Sequence, residues 1–232
     1  MSFKVEALDA LEILDSRGRP TVAVAAVVDG VRAVAAVPSG ASTGRGEALE
    51  LRDGGGRYGG LGTTRAVANV RTEIAAAVGG KSFASQAELD ALLLRLDGTP
   101  EKSRLGANAV LGVSLAFARA CAAARNLPLW KHFAAVAGTT PRRPELTINL
   151  FSGGKHAGGQ VPIQDVLLVP VAARSSAEGL EQVCAVVRAA QALVKSKYGE
   201  RPLKADEGGL APPFESVEAM FDDAVSCIRA AG

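Results

Sequence analysis

The chain has 232 residues, 48% of them apolar and 22% charged, which is enough for one large domain or two modest ones and lies outside the composition of disordered chains. A formal net charge of +2, with no Lys/Arg run and no interleaved aromatics, excludes a nucleic-acid groove. Acidic residues interrupt the opening MSFKVEALDALEILDSRG, and no window of about 18 residues is apolar without a charge, so the expectation is a cytoplasmic protein with neither a secretory signal nor a membrane span.

Residues 5–14, 21–29 and 32–37 alternate or run apolar with β-branched side chains, and the turn signals Ser16-Arg17-Gly18-Arg19-Pro20 and Asp29-Gly30 separate them. This predicts a three-stranded antiparallel meander. From Thr63 the period changes to that of a helix, with Ala66, Val67, Val70, Ile74 and Val78 on one face, and a second helix over 87–96 follows the Gly79-Gly80 break. Residues 105–126, rich in Ala and Leu, predict a helix buried over most of its surface. Cys121, Cys184 and Cys227 are far apart in helical segments, which predicts buried thiols rather than a disulfide framework or a paired-cysteine metal site.

The polar, Pro/Gly-bounded stretch around Gly138 to Pro144 is the best boundary in the chain. It divides a domain at 1–136 from a second region at 145–232, with 137–144 as linker. Beyond it the pattern reads strand 146–151, strand 165–171, helix 177–198, strand 203–205 and helix 216–231. That order opens an α/β layer or barrel without completing one.

Four places could carry chemistry. Pro38-Ser39-Gly40-Ala41-Ser42-Thr43-Gly44 has no large side chain, so its backbone can close over an anionic or metal-bound ligand; an ordinary Gly/Ser surface loop has the same composition. His156 stands in a loop with four glycines, placed for proton transfer or phosphate contact or simply facing solvent. Asp165 opens one strand and Glu207 closes another, and carboxylates at strand ends can share a proton, although surface carboxylates are far commoner. His132, amid Leu129-Trp130-Lys131-His132-Phe133, is assigned to packing.

Asp15-Ser16-Arg17-Gly18, Val37 through Gly44, the run Glu47-Ala48-Leu49-Glu50-Leu51-Arg52-Asp53, Lys102 through Ala109, His156-Ala157-Gly158 and Asp206-Glu207-Gly208-Gly209 occur in the order and approximate spacing of the enolase family. The chain resembles that family from about Phe3 to Gly232. The resemblance implies an α+β N-terminal domain, an antiparallel meander plus helices, followed by an incomplete enolase-type β/α barrel that stops after its third strand and the next helix. It implies a Mg2+-dependent lyase interconverting 2-phosphoglycerate and phosphoenolpyruvate, a phosphorylated carboxylate substrate, and a homodimer in the full-length family. Nucleic acid and membrane are not implied partners.

Residue by residue, Ser39 resembles the mobile-loop serine that binds a second Mg2+, His156 the histidine that contacts the phosphate, and Glu207 the carboxylate that assists departure of hydroxide. Asp165 stands where the family has a glutamate partnered with it, a side chain shorter by one methylene. Ser152 and Arg19 each replace a family asparagine. No residue of this chain matches the principal Mg2+ ligands, the lysine base or the phosphate-gripping arginine and serine. The implied reading is therefore an enolase-type enzyme whose chain is not active alone. Three alternatives accompany it: a homologue acting on a phosphonate or related analogue in specialised metabolism, a noncatalytic fragment, and one half of a split enzyme completed by a second chain.

Overall fold

The structure, a computed structural model, describes residues 2–40, 44–199, 204–205 and 208–232; the side chain of His156 is outside it. The chain forms two compact units, Met1–Pro141 and Arg142–Gly232.

In the first unit β1 (Phe3–Leu14), β2 (Pro20–Val28) and β3 (Val31–Ala36) pair antiparallel in chain order, as the alternation predicts. The turns are those of the sequence: Gly18 and Gly30 both take positive φ, at 72° and 75°. A two-residue strand β4 (Ser82–Phe83) adds to the free edge of β1, giving the order β3-β2-β1-β4. Nothing in its local pattern announced it, because two residues carry no period.

Residues 64–78 run as one interrupted helix: α1 (Thr64–Asn69), a π-turn over Val70–Ile74, and α2 (Ala75–Val78). All five residues of the predicted face are buried. α3 (Gln86–Asp97) begins at Ser85, whose hydroxyl accepts from the Glu88 N–H, and ends at Gly98 with φ 72°, a cap conformation that glycine adopts without strain.

The centre of this unit is α4 (Ala107–Ala124), which packs across β2 and β3 and buries Ala109, Val113, Ala116, Phe117 and Ala120. Close approach depends on Gly112, where a Cβ would stand 2.6 Å from Val24 Cγ2 and 3.1 Å from Val37 Cγ2. Phe117 meets Phe3 and Phe83 edge to face, at 6.2 and 5.9 Å between ring centres. Among the described residues α4 is also the helix long and apolar enough to cross a membrane, and its burial against the sheet is that of a core helix. A further helix, α5 (Leu129–Ala137), closes the unit; the sequence pattern had left it unassigned.

In the second unit β5 (Ile148–Ser152) and β6 (Asp165–Leu168) pair antiparallel, so they do not repeat the all-parallel arrangement of a standard β/α barrel. β6 ends three residues earlier than its apolar run, because the Val171 N–H turns back to the Val169 carbonyl before Pro170 can extend the ladder. Of the predicted strand 203–205, Leu203 lies outside the described residues and Lys204 makes a single bridge to Leu210. The segment that runs alongside β5 is Leu210: it forms a parallel bridge with Phe151, accepts from the Ser152 N–H and donates to the Leu150 carbonyl, both at 2.9 Å. α6 (Ser176–Tyr198) and α7 (Val217–Ala231) pack on each other and on this sheet around Phe151, Phe214 and Met220. The expectation of three buried thiols is corrected at Cys184, which is exposed on α6, while Cys121 and Cys227 are buried.

Candidate functional site

Each unit contains a polar cluster built on residues singled out in the sequence. In the first, Ser39 follows β3, whose end is pinned by the Val37 N–H to the Val22 carbonyl (2.8 Å) and by the Thr21 hydroxyl to the Val37 carbonyl (2.7 Å). The Ser39 hydroxyl donates to Glu50 Oε2 at 3.1 Å and accepts from Arg52 Nη2 at 2.9 Å, and Arg52 and Glu50 pair directly. The Ser39 carbonyl accepts from Arg17 Nη2 at 2.6 Å.

Arg17 is aimed by Asp15. One Asp15 oxygen accepts the backbone N–H groups of Arg17 and Arg19, each at 2.8 Å, and the other accepts the Arg17 guanidinium at 3.1 Å. The Arg19 and Arg17 amides, with the Arg17 guanidinium, hold the Asp15 carboxyl below its ordinary range against a smaller opposing effect of burial. Arg52 is aimed by the carbonyls of Pro20 (2.6 Å) and Leu61 (2.8 Å). The segment carrying Glu50 is held to the start of α4, where Asn108 accepts from the Leu51 N–H at 3.1 Å and donates to the Leu51 carbonyl at 3.2 Å.

The motifs that carried the resemblance therefore divide by task. Asp15, Arg17, Glu50 and Arg52 converge on Ser39. Asp53 instead binds the opening of α1 through the Thr64 and Arg65 amides, both at 2.9 Å, and Arg104 pairs with Glu73. The sequence reading gave the four converging residues no role, since they come from two segments distant from each other and from Ser39, and their meeting is a property of the fold.

In the second unit Asp165 sits directly across from Ser152 in the β5–β6 ladder. Its Oδ1 accepts from Asn149 Nδ2 at 2.7 Å and from the Ser152 hydroxyl at 3.2 Å, and its Oδ2 from Gln164 Nε2 at 3.0 Å. Asn149 also donates to Ser152 Oγ at 2.9 Å. Residues three apart on a regular strand face opposite sides, yet Asn149 and Ser152 reach the same oxygen because the register shifts between Asn149 and Phe151. Gly209 closes the cluster: a Cβ there would lie 2.5 Å from Ser152 Oγ and 2.7 Å from Asn149 Oδ1.

The turn Gly154–Ala157, which contains His156, is fixed by the Gly153 N–H to the Gln164 carbonyl (2.6 Å) and the Gly154 N–H to the Val161 carbonyl (2.8 Å). Glu207 lies outside the described residues, as do Ala41, Ser42 and Thr43 of the loop after Ser39. The structure thus brings Asp165 together with Ser152 and Asn149, and Ser39 together with Arg17, Glu50 and Arg52.

No group of three metal-ligating side chains occurs among the described residues. Ser39 does not fit a cation in this arrangement, since a guanidinium donates to its hydroxyl and another to its carbonyl.

An α+β unit with a meander sheet is followed along the chain by a second unit of two antiparallel strands and two long helices. The enolase N-terminal domain family matches residues 5–133, and the enolase C-terminal TIM barrel domain family matches residues 143–232. Similar proteins include the enolase of Desulfotalea psychrophila, 47% identical over 235 residues with 100% of this chain and 55% of that protein covered. The enolase of Thermococcus gammatolerans is 44% identical over 232 residues, covering 99% and 53%, and enolase 2 of Lactococcus lactis is 43% identical over 233, covering 100% and 54%. The chain belongs to the enolase family, and it spans about half the length of the curated relatives it matches.

Proposed function

We propose that this chain is part of an enolase-type lyase that interconverts 2-phosphoglycerate and phosphoenolpyruvate in the cytoplasm, and that it does not turn over alone. The observation that carries this reading is the match of both enolase domain families in order along the chain, at residues 5–133 and 143–232. The convergence of Asp15, Arg17, Glu50 and Arg52 on Ser39 supports it from the side chains. We place the domain limits at 1–136 and 145–232, with 137–144 as linker; the division into compact units after Pro141 supports them.

In this reading Ser39 and His156 bind substrate, Glu207 assists departure of hydroxide, and Asp165 is its carboxylate partner. Asp165 carries three hydrogen bonds from Asn149, Ser152 and Gln164, which fixes its position more firmly than a lone shorter side chain would be. The divalent metal of the family is Mg2+ here, and Ser39 would have to release Arg52 to reach it. The base and the principal metal ligands come from a second polypeptide segment completing the barrel, and the full-length protein is a homodimer.

The test is to assay 2-phosphoglycerate dehydration by the ultraviolet absorbance of the enol product. The chain alone is expected to show none; mixed with a polypeptide supplying the remaining barrel of the Desulfotalea psychrophila relative, it is expected to show turnover that Glu207→Gln abolishes. Stable assembly of the two polypeptides without turnover, or turnover unaffected by Glu207→Gln, would overturn the assignment.

A further inference from the structure

The three donors around Asp165 are unequal. Gln164 Nε2 reaches Oδ2 at 3.0 Å from the adjacent position in the chain and is exposed, so water can take its place. The Ser152 hydroxyl reaches Oδ1 at 3.2 Å, beyond the usual range of an O–H···O bond. Asn149 Nδ2 makes the shortest contact, 2.7 Å to Oδ1, and does so from a half-buried amide on the facing strand.

That amide has little freedom of its own. One Nδ2 hydrogen goes to Asp165 and the other to Ser152 Oγ at 2.9 Å, so both donors of the group are used. On its oxygen side stands Gly209, where a Cβ would lie 2.7 Å from Asn149 Oδ1 and 2.9 Å from Asn149 Cγ. Gly209 is itself anchored. Its carbonyl accepts the Ala205 N–H at 3.0 Å, and the next residue, Leu210, donates to the Leu150 carbonyl and accepts from the Ser152 N–H, both at 2.9 Å. Asn149 is thereby gripped from two directions, by side chains of β5 and β6 on one and by backbone on the other.

A residue that merely completed the sheet would gain nothing from such a grip. Asp165 gains a fixed orientation: its carboxylate turns about χ1 and χ2 and, at the opening of β6, would otherwise sample several rotamers. Displacing a reacting group by about 1 Å costs on the order of a hundredfold in rate. We propose that Asn149 is a positioning residue of the lyase site, holding the Asp165 carboxylate in one orientation and tying that orientation to the backbone at Gly209, two positions after Glu207 in the chain. The proposal rests on the reading of Asp165 as the carboxylate partner of Glu207. Asn149 acts through Asp165 and not on the substrate.

Two measurements keep this proposal separate from that reading. In the isotope-labelled 232-residue protein, the Hα–Hβ couplings of Asp165 report its rotamer. They should show one rotamer in the parent chain and averaging in Asn149→Leu, while Gln164→Ala keeps the single rotamer. In the chain assembled with the remaining barrel of the Desulfotalea psychrophila relative, Asn149→Leu should lower kcat for 2-phosphoglycerate by about 10–100-fold and move KM by less than about twofold. It should add nothing to the loss caused by Asp165→Ala, since the two side chains act as one unit. Asn149→Ala is the second variant, with the same expectations, should Asn149→Leu disturb the amide spectrum. A single Asp165 rotamer in a folded Asn149 variant, equal averaging in Gln164→Ala, a kcat loss that multiplies with that of Asp165→Ala, or loss of the fold in both variants would each overturn the proposal. Absence of turnover in the parent assembly would overturn the lyase reading instead, and averaged rotamers in Asn149→Leu would then still support Asn149 as the residue that holds Asp165.

Discussion

Helices α4 and α7 show how differently the two units use apolar sequence. On α4 nearly every apolar side chain is spent, against β2 and β3 on one side and α1, α3 and α5 on others. On α7, Met220, Ala224 and Cys227 are buried in the unit, whereas Phe221, Val225 and Ile228 form a second apolar stripe that is 43–47% exposed. The sheets differ in the same sense: β1 to β3 exchange long ladders, broken once by a register shift between Val5 and Ala7, while the short pair β5 and β6 is supplemented by isolated bridges at Leu210. Apolar periodicity alone does not tell a covered face from an uncovered one.

The sharpest way to break this comparison is to remove one aromatic from each core. Phe117→Ala should cost the first unit about 3–5 kcal/mol, read by chemical denaturation, since Phe117 joins Phe3 and Phe83 at the centre of a closed core. Phe151→Ala should fall at or below the lower end of that range, because its surroundings are freer to collapse; an equal loss would show the second core to be as tightly packed as the first. Next in size are two glycines. Gly112→Ala forces a methyl onto the stiff Val24 side chain and should cost about 1–3 kcal/mol. Gly209→Ala should instead act locally, raising amide exchange at Asn149 and Ser152, and unchanged exchange there would separate Gly209 from the cluster.

Smaller effects compare like with like. Ser85 and Ser216 cap α3 and α7 in the same way, each hydroxyl accepting the N–H three residues on, at 3.2 and 3.1 Å. Ser85→Ala and Ser216→Ala should therefore each cost about 1 kcal/mol in the unit concerned, and a large disparity would show that something besides the cap differs. The smallest effect expected is in acid. Glu12, Asp53 and Asp97 have folded-state pKa values below the ordinary 4.5 and 3.8: Glu12 chiefly through Arg57, Asp53 and Asp97 because hydrogen bonds to them outweigh burial. Groups depressed on folding stabilise above their unfolded pKa and lose that contribution as pH falls through the folded value. Among the described residues of the second unit, the carboxyl held below its ordinary range is that of exposed Glu218. Spectroscopic titration below pH 4.5 should thus find the first unit losing more stability than the second, and the reverse order would remove these carboxylates from the account.

Much of this architecture was legible from local pattern. The alternation PTVAVAAVV could place β2, and the five-residue apolar face could place α1 and α2, because each period is set by the backbone itself. What stayed hidden depended on distance or count. β4 exists because the edge of β1 accepts it, and α5 has too few turns to declare a face. Leu210, not the stretch before it, became the neighbour of β5, an outcome decided by pairing partners rather than β-propensity. At the candidate site, Ser39 was visible as a residue, but its ties to Arg17, Glu50 and Arg52 are contacts across 11 to 22 positions that no window could join.

The irregularity in β5 has a bearing on how this family member can change. Asn149 and Ser152 share Asp165 because one more residue is threaded between them than a regular strand would use. That places the constraint on arithmetic rather than on identity. Leu150 can be exchanged for another apolar residue of its size, and its backbone will still receive the Leu210 N–H. Deleting it would remove the extra residue and leave the two donors two apart, the spacing at which a regular strand already puts side chains on one face. Lineages descending from this sequence are therefore free to drift at position 150 in composition, and the loss of one residue there would regularise the strand without parting the two donors.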